Sequence, residues 1–437
     1  MKARFLHMAD SHLGYRQYNN TQRYNDFARA FLDVIDTAIT EKVDFVILAG
    51  DLFQKRSIQA LTLNQAVRGL EKLQDANIPC IAVEGNHELA YQDETIGWME
   101  FLATRRLITL LNANFEDGVA QLARYGTAYK RGSSYIDPMP GLRVHGLKYF
   151  GSGIGKALDG YAQALSDTNQ DGVEYTIFIA HAGLEGVISG DSGGVSYRQW
   201  SVLQPHVDYL ALGHIHKPFD RDDWIYNPGS TETCSIAEAA WPKRGYYLVE
   251  IDTDSVWETD QPKHQVTLHA NRRRPFYRLH IKVDHDESPE ALYDHCRQFL
   301  QRRLQDLNRP ANSPQPVVEF QLTGVLAFDR SALDLDHVQE LLVEIFNPLV
   351  PLVKNFTQAT EFAIEVQEGL GRPELERQVL IDLLNQDAQY REQSQQWASL
   401  ATSLKTMALS GATGEAIVDE LASRVEIIDN GQWTIDS

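Results

Sequence analysis

Five short apolar, β-branched runs in the first part of the chain each end abruptly in residues that packing alone does not call for. ARFLHM runs into Asp10 and His12, FVILAG into Asp51, and CIAVEG into Asn86, His87 and Glu88. Further on, YTIFIA runs into His181, and YLALG into His214 and His216. Runs of this length and composition are strands covered on both faces. Amphipathic stretches separate the first three: Phe27, Phe31, Val34 and Ala38 share one helical face, and Leu63, Val67, Leu70 and Leu73 share another. Strands alternating with such helices predict an α/β fold built on a largely parallel, covered sheet. In a sheet of that kind the strand C-termini share one edge, where ligands bind. The pattern therefore predicts that two aspartates, an asparagine and five histidines meet on one rim.

Imidazole nitrogen and carboxylate oxygen suit manganese, iron(II) or zinc. Seven plausible donors exceed what one four-coordinate ion uses; they suit two cations about 3.5–4 Å apart sharing a bridging carboxylate, as in phosphoester hydrolysis. If the backbone stays extended, Asp10 and His12, like His214 and His216, point to the same side. Gly50, Gly85 and Gly213 allow sharp turns and close approach to the ions. Each element alone is weak. An Asp-Ser-His is commonly a cap or turn, Gly-Asp after a strand a common turn pair, and Gly-His-Ile-His a pair of satisfied surface histidines. Their joint occurrence, each at a strand end, is specific.

A chain of 437 residues predicts two or three domains. The texture turns polar after about residue 252, which puts one boundary near 270. Residues 271–370 read as a small α/β unit with strands FYRLHIKV and VVEFQLTG, helices PEALYDHCRQFLQRRL and DLDHVQELLVEIF, and a closing segment FTQATEFAIEV. Residues 371–437 read as helical, with Leu375, Val379, Leu383, Leu400 and Leu404 at helical spacing. No apolar stretch approaches a bilayer span and no secretory signal is visible, so a cytoplasmic protein without a membrane partner is expected. Cys80, Cys234 and Cys296 are widely separated and lack metal-type spacing, which suits a reducing compartment. The formal charge of −20 is a mild mark against nucleic acid. Arg272–Arg274, with Arg278 and Lys282, could contact phosphates or simply be solvated. His145, His206, His264, His269, His280, His285 and His295 read as surface or satisfied histidines, and the Gly-rich segment 188–200 as a loop beside the site.

The order Asp-x-His, Gly-Asp, Gly-Asn-His, His, Gly-His-x-His resembles that of the calcineurin-like metallophosphoesterases. MADSHLGYRQY, AGDLF and YNPGSTE (226–232) resemble in particular the SbcD-type DNA-repair nucleases of the meiotic-recombination-eleven family. The motifs cover residues 1 to about 250. The resemblance implies a β-sandwich flanked by helices (αββα), a capping domain and a helical tail. It implies one cation on Asp10, His12, Asp51 and His216, and another on Asp51, Asn86, His181 and His214, with manganese preferred. His87 would then stabilise the transition state or protonate the leaving oxygen. It further implies DNA ends and hairpins as substrate, a homodimer through helices of the phosphoesterase domain, for which YNDFARAF and ALTLNQAV are candidates as interface or core stripes, and an SMC-like ATPase of the SbcC type docked on the tail. Two departures stand out: Glu88 where the family often has aspartate, and Gln54 where many members have histidine. A cyclic-nucleotide phosphodiesterase or phosphatase on the same site, or a non-catalytic DNA-end-binding subunit, are the rival expectations.

Overall fold

The structure, a computed structural model, describes residues 1–90, 95–168, 172–188, 194–254, 263–284, 286–310, 312–359, 372–386, 390–410 and 412–429. The chain opens β1 (Lys2–Met8), α1 (Thr21–Thr40), β2 (Phe45–Ala49), α2 (Ala60–Asp75), β3 (Cys80–Val83), α3 (Trp98–Thr104), β4 (Thr109–Leu110). It continues through β5 (Asn114–Glu116), β6 (Val119–Gln121), β7 (Tyr135–Met139), β8 (Leu142–Leu147), α4 (Ile154–Asp167), β9 (Tyr175–His181), α5 (Tyr197–Trp200) and β10 (Tyr209–Gly213). Strands β11 (Phe219–Arg221), β12 (Ile225–Asn227), β13 (Gly245–Asp252) and β14 (His264–Ala270) complete two sheets.

One sheet has the order β14-β13-β1-β2-β3-β4 and the other β11-β12-β10-β9-β8-β7. The five motif-bearing runs are therefore split three and two between two sheets, and do not share the single sheet that residue periodicity suggested. The reason lies in what a continuous apolar run can say. Phe45–Ala49 is buried throughout, as expected. Val46 and Leu48 face a core shared with Phe31 and Val34 of α1 and Leu70 and Leu73 of α2. Phe45, Ile47 and Ala49 pack instead on Ile177, Ile179, Tyr209 and Ala211 of the second sheet. Each such fully buried aliphatic side chain stabilises the fold by about 1.5–3 kcal/mol. The run fixes that both faces are covered, not whether a helix or a sheet covers them. The sandwich of the resemblance is what the fold has.

β1, β2 and β3 run parallel, as do β8, β9 and β10, while β13 closes antiparallel on β1. Several strands lie outside those read from the sequence, β14 and the β7–β8 pair among them. β14 lies inside the polar stretch after 252, where its alternating burial marks an outer strand paired, among the described residues, with β13. β7 and β8 form an antiparallel pair in a stretch that was not read as strand. The helix faces read from the sequence are core faces: Phe27, Phe31, Val34, Ala38, Leu70 and Leu73 are all buried. Any contact made through α2 must use other residues, such as Leu61, which is 58% exposed.

The chain divides into two compact units, Met1–Ile281 with Cys296–Gln321 and Asp336–Lys354, and Lys282–His295 with Leu322–Leu335 and Asn355–Ser437. A third sheet, order β15-β16-β17, is made by β15 (Phe276–Lys282), β16 (Val317–Leu326) and β17 (Val350–Ala359), with α6 (Pro289–Asp306) and α7 (Leu335–Phe346) between the strands in sequence. The closing strand thus begins earlier than FTQATEFAIEV, and the remainder of that segment lies outside the described residues, as does His285. The tail forms α8 (Arg372–Gln386), α9 (Ser394–Leu409) and α10 (Gly414–Asp429). Among the described residues no helix is long and apolar enough to cross a membrane.

The basic run before β15 has a structural use. Arg274 is buried, and its guanidinium donates to both oxygens of Asp26 in α1, at 2.6 and 3.0 Å. Arg273 donates to the carbonyls of Arg244 and Pro242. Two of the three arginines are thus engaged within the protein, and Arg272 is left exposed.

Candidate metal centre

The strand ends of both sheets deliver the expected side chains to one place. His12 Nε2 stands 3.0 Å from His216 Nε2, and the rings of His12 and His87 meet edge to face at 5.0 Å. Asn86 Oδ1 lies 3.2 Å from His181 Nε2 and 3.0 Å from His214 Nδ1, and Asp51 Oδ2 lies 3.2 Å from His181 Nε2. Donor atoms of Asp51, His181 and His214 all lie within 4.8 Å of one another; so do those of His12, Asp51 and His87, and those of His12, His216 and Cys234. Asp10 belongs to none of these triples. Both its oxygens accept from the backbone N–H of His214, at 3.1 and 3.0 Å.

The backbone reaches this arrangement by turning, not by staying extended. Asp10, His12, Asp51 and His214 have φ of 53°, 47°, 52° and 84°. Left-handed conformations at non-glycine residues cost about 1–2 kcal/mol each and concentrate at functional sites. Two glycines are needed for the approach. A Cβ on Gly85 would sit 2.0 Å from Asp51 Oδ1, and one on Gly50, whose φ is +84°, would sit 2.3 Å from His181 Nδ1.

Hydrogen bonds fix which ring nitrogens face the centre. His181 Nδ1 lies 2.8 Å from the carbonyl of Ala49, His216 Nδ1 lies 2.8 Å from Glu238 Oε1, and His87 Nδ1 lies 2.6 Å from the carbonyl of Gln54. Carbonyl and carboxylate oxygens only accept, so Nδ1 carries the proton in each ring and Nε2 is directed inward. His12 Nε2 with His216 Nε2, and Asp51 Oδ2 with His181 Nε2, stand about 3 Å apart, close enough to share a proton or a cation. Without a cation it is a proton that they share. Burial opposes protonation of His181, but the Asp51 carboxylate outweighs it and raises the imidazole to about 9. Burial likewise opposes ionisation of Asp51, and His181, then His12 and His87, hold its carboxyl well below the usual range. Burial raises Asp10 to about 6. Ligand atoms each about 2.0–2.2 Å from one ion stand roughly 3.0–3.5 Å apart, so these spacings and this donor chemistry fit a divalent cation.

The comparisons with known proteins agree. The family model of the calcineurin-like phosphoesterases matches residues 3–218. The chain is 30% identical over 314 residues to the DNA double-strand break repair protein Mre11 of Halobacterium salinarum, covering 70% of this chain and 67% of that protein. The chain belongs to the Mre11 family. It is also 28% identical over 261 residues to the protein of that name from Archaeoglobus fulgidus, covering 54% of this chain and 52% of the relative. With the Mre11 protein of Aeropyrum pernix it shares 27% identity over 308 residues, 68% of each chain. The chain thus spans from about half to about two thirds of the length of these Mre11 relatives.

Within this Mre11-family site, the two departures have a physical reading. The Glu88 carboxylate is fully buried and accepts from the backbone N–H groups of Phe53 (2.9 Å), Gly85 (2.9 Å) and Asp51 (3.1 Å). It ties the Gly-Asp turn to the Gly-Asn-His turn, although burial and then the Asp51 charge push its pKa up to about 8. Gln54 contributes its carbonyl to His87, a role independent of its side chain. Three neighbours escaped the sequence reading. Glu238 orients His216, accepts from the N–H of Cys234 at 3.0 Å and pairs with Arg244 at 3.2 Å. The ring of Tyr149 lies 5.6 Å from that of His214. Cys234, without metal spacing in the sequence, is brought beside His12 and His216 by the fold. The segment YNPGSTE serves the same turn: Asn227 donates to the carbonyls of Ile215 and Lys217, on either side of His216.

Of the other histidines, His280 is exposed and the following are packed or paired. His145 is buried with Nδ1 3.2 Å from the Tyr161 hydroxyl, and His264 bonds the hydroxyls of Tyr175 and Tyr226. His206 bonds Ser166, His295 bonds Asp286, and His269 stacks on Tyr246.

Proposed function

We propose that this chain is a two-cation-dependent DNA nuclease, an exonuclease on double-stranded ends and an endonuclease on single-stranded or hairpin DNA, acting in double-strand-break repair. The observation that carries the reading is the convergence of nitrogen and oxygen donors from five strand ends around Asp51, at separations suited to shared cations. The names of the Mre11 relatives supply the substrate class. Asp10, His12 and His216 with Asp51 would hold one ion, and Asn86, His181 and His214 with Asp51 the other. Manganese suits this mixed nitrogen and oxygen set. When bound, such a pair supplies charge to the phosphodiester oxygens and makes a water acidic enough to attack phosphorus at neutral pH.

The chain's own residues do the rest. Ala49, Glu238 and Gln54 fix the tautomers of His181, His216 and His87, so no rotation is needed as substrate enters. Glu88 holds the turns carrying Asp51 and Asn86 in register. His87, 32% exposed at its side chain, holds Nε2 3.8 Å from Asp51 Oδ2, from where the imidazolium would deliver a proton to the departing oxygen or bond the charge that develops on phosphorus. In this reading residues 271–370 cap the nuclease domain of residues 1–270, and residues 371–437 dock an SMC-like ATPase of the SbcC type on a homodimer. The test is cleavage of end-labelled linear duplex and hairpin DNA with and without manganese. Metal-dependent product ladders are expected, and His87→Ala should abolish them with manganese content intact. Full cleavage by that variant would refute the role of His87, and no cleavage by the parent protein under any divalent ion would refute the function.

A further inference from the structure

Cys234 stands where a further donor to the His12 and His216 side of the centre would stand. Its Sγ and a nitrogen from each of the two rings lie within 4.8 Å of one another. The position is set by a buried network. The N–H of Cys234 donates to Glu238 Oε2 at 3.0 Å, while His216 Nδ1 donates to Oε1 of the same carboxylate at 2.8 Å. A single carboxylate thus sets both the cysteine backbone and the ring beside it. The Cys234 carbonyl accepts from Gln17 Nε2 at 2.8 Å, and Gln17 is held in turn by buried Arg23 at 2.9 Å. With Nδ1 of His216 committed to Glu238, Nε2 is left facing His12 Nε2 at 3.0 Å, and the thiol completes the group from a third segment of chain.

We infer that Cys234 adds a sulfur to the position held by Asp10, His12, Asp51 and His216, and that this position takes a thiophilic divalent cation, zinc or cadmium, in preference to manganese. This rests on the two-cation reading and deepens it. Thiolate sulfur selects softer ions, whereas the Asn86, His181 and His214 side offers only nitrogen and oxygen. The two halves therefore differ in the ions they prefer. On ligation the Cys234 S–H bond breaks, its proton goes to solvent, and the sulfur gives a lone pair to the cation; nothing is oxidised or reduced. The other thiols lie elsewhere: Cys80 packs in the core beneath α2, and Cys296 is buried in α6.

The test is titration of the reduced full chain with cadmium alone, following thiolate-to-cadmium charge-transfer absorption in the ultraviolet, with bound ion counted by equilibrium dialysis. A saturable band is expected in the parent and in the double variant C80S/C296S, whose one remaining thiol is Cys234. It should vanish in C234S. Zinc affinity of C234S should fall roughly tenfold or more with manganese affinity unchanged. The double variant keeps the test decisive if C234S does not fold. Cadmium bound without a thiolate band in the double variant, or a band surviving in folded C234S, would overturn the sulfur donor and leave the two-cation reading standing. If dialysis finds neither cadmium nor manganese bound, the two-cation reading itself falls.

Discussion

At the scale of residues, the site was legible because its chemistry is expensive anywhere else. Asp51, Asn86 and His181 follow buried strands and have no packing reason to be there, so their identities alone pointed to a common centre. Their conformations were not legible. The left-handed backbone of Asp10, His12, Asp51 and His214 carries only a weak composition signal, since aspartate and histidine enter that region more readily than most residues but still uncommonly. Glu238 and Cys234 were hidden for another reason: their partner His216 is reached through the fold, and no fixed spacing links them. Glu88 looked like a tolerated departure and instead clasps three backbone N–H groups. Above its raised pKa of about 8 the carboxylate only accepts, so at pH 9 Glu88→Gln, which turns an amide toward donors, should cost about 1–3 kcal/mol, read as a lower melting temperature and weaker cation binding. A wild-type melting curve from that variant would contradict the clasp. His145 offers a pH prediction away from the centre. Burial, then Arg143, lowers it to about 3 in the folded protein, against 6.5 unfolded. Above 6.5 neither state binds the proton; between 6.5 and 3 only the unfolded state does, so its contribution is lost as pH falls through that window. Denaturation of His145→Gln across pH 7 to 4 should therefore show less acid lability than the parent, by about 1.4 kcal/mol per pH unit within the window. Parallel pH profiles would refute it.

At the scale of elements, the central strands and the flanking helices were readable because burial on both faces leaves an unbroken apolar run and burial on one helical face leaves a 3.6-residue period. What covers the second face was not readable: Ile47 would look the same under a helix as under Ile177 and Tyr209. Outer strands such as β14 alternate polar and apolar residues and merge with turn-rich sequence. The contact of α1 with α2 allows a sharp test. A Cβ at Gly69 would lie 2.4 Å from Cε1 of buried Phe31. Alanine ordinarily favours a helix over glycine by about 1 kcal/mol, whereas overpacking a close contact costs about 1–3 kcal/mol. Gly69→Ala should therefore lower the melting temperature, and a rise would show that α1 yields. The Arg274–Asp26 pair makes a further prediction. Both partners are buried, so Arg274→Met should destabilise the protein by about 2–3 kcal/mol in chemical denaturation, because Asp26 loses its bidentate partner and, among the described residues, keeps Arg23 and Arg29. A variant defective in DNA binding but unchanged in stability would instead restore the phosphate-contact reading of the basic run.

At the scale of the whole molecule, the centre draws donors from β1, β2 and β3 of one sheet and β9 and β10 of the other. Cations there would tie the two halves of the sandwich together, and would place positive charge at the mouth of a chain whose formal charge is −20. The excess acid therefore need not oppose a DNA partner at this one face. Ions at about 100 times their dissociation constant stabilise the folded state by about 2.7 kcal/mol, so chelation should lower the melting temperature measurably and manganese should restore it. The measurement that bears most directly on the centre is manganese stoichiometry by equilibrium dialysis and elemental analysis, for the parent chain and Asp51→Asn. Two ions per chain, with binding at both positions weakened by the single substitution, is the outcome expected of a carboxylate shared between them. One ion or none in the parent, or two held undiminished by Asp51→Asn, would contradict a bridged pair.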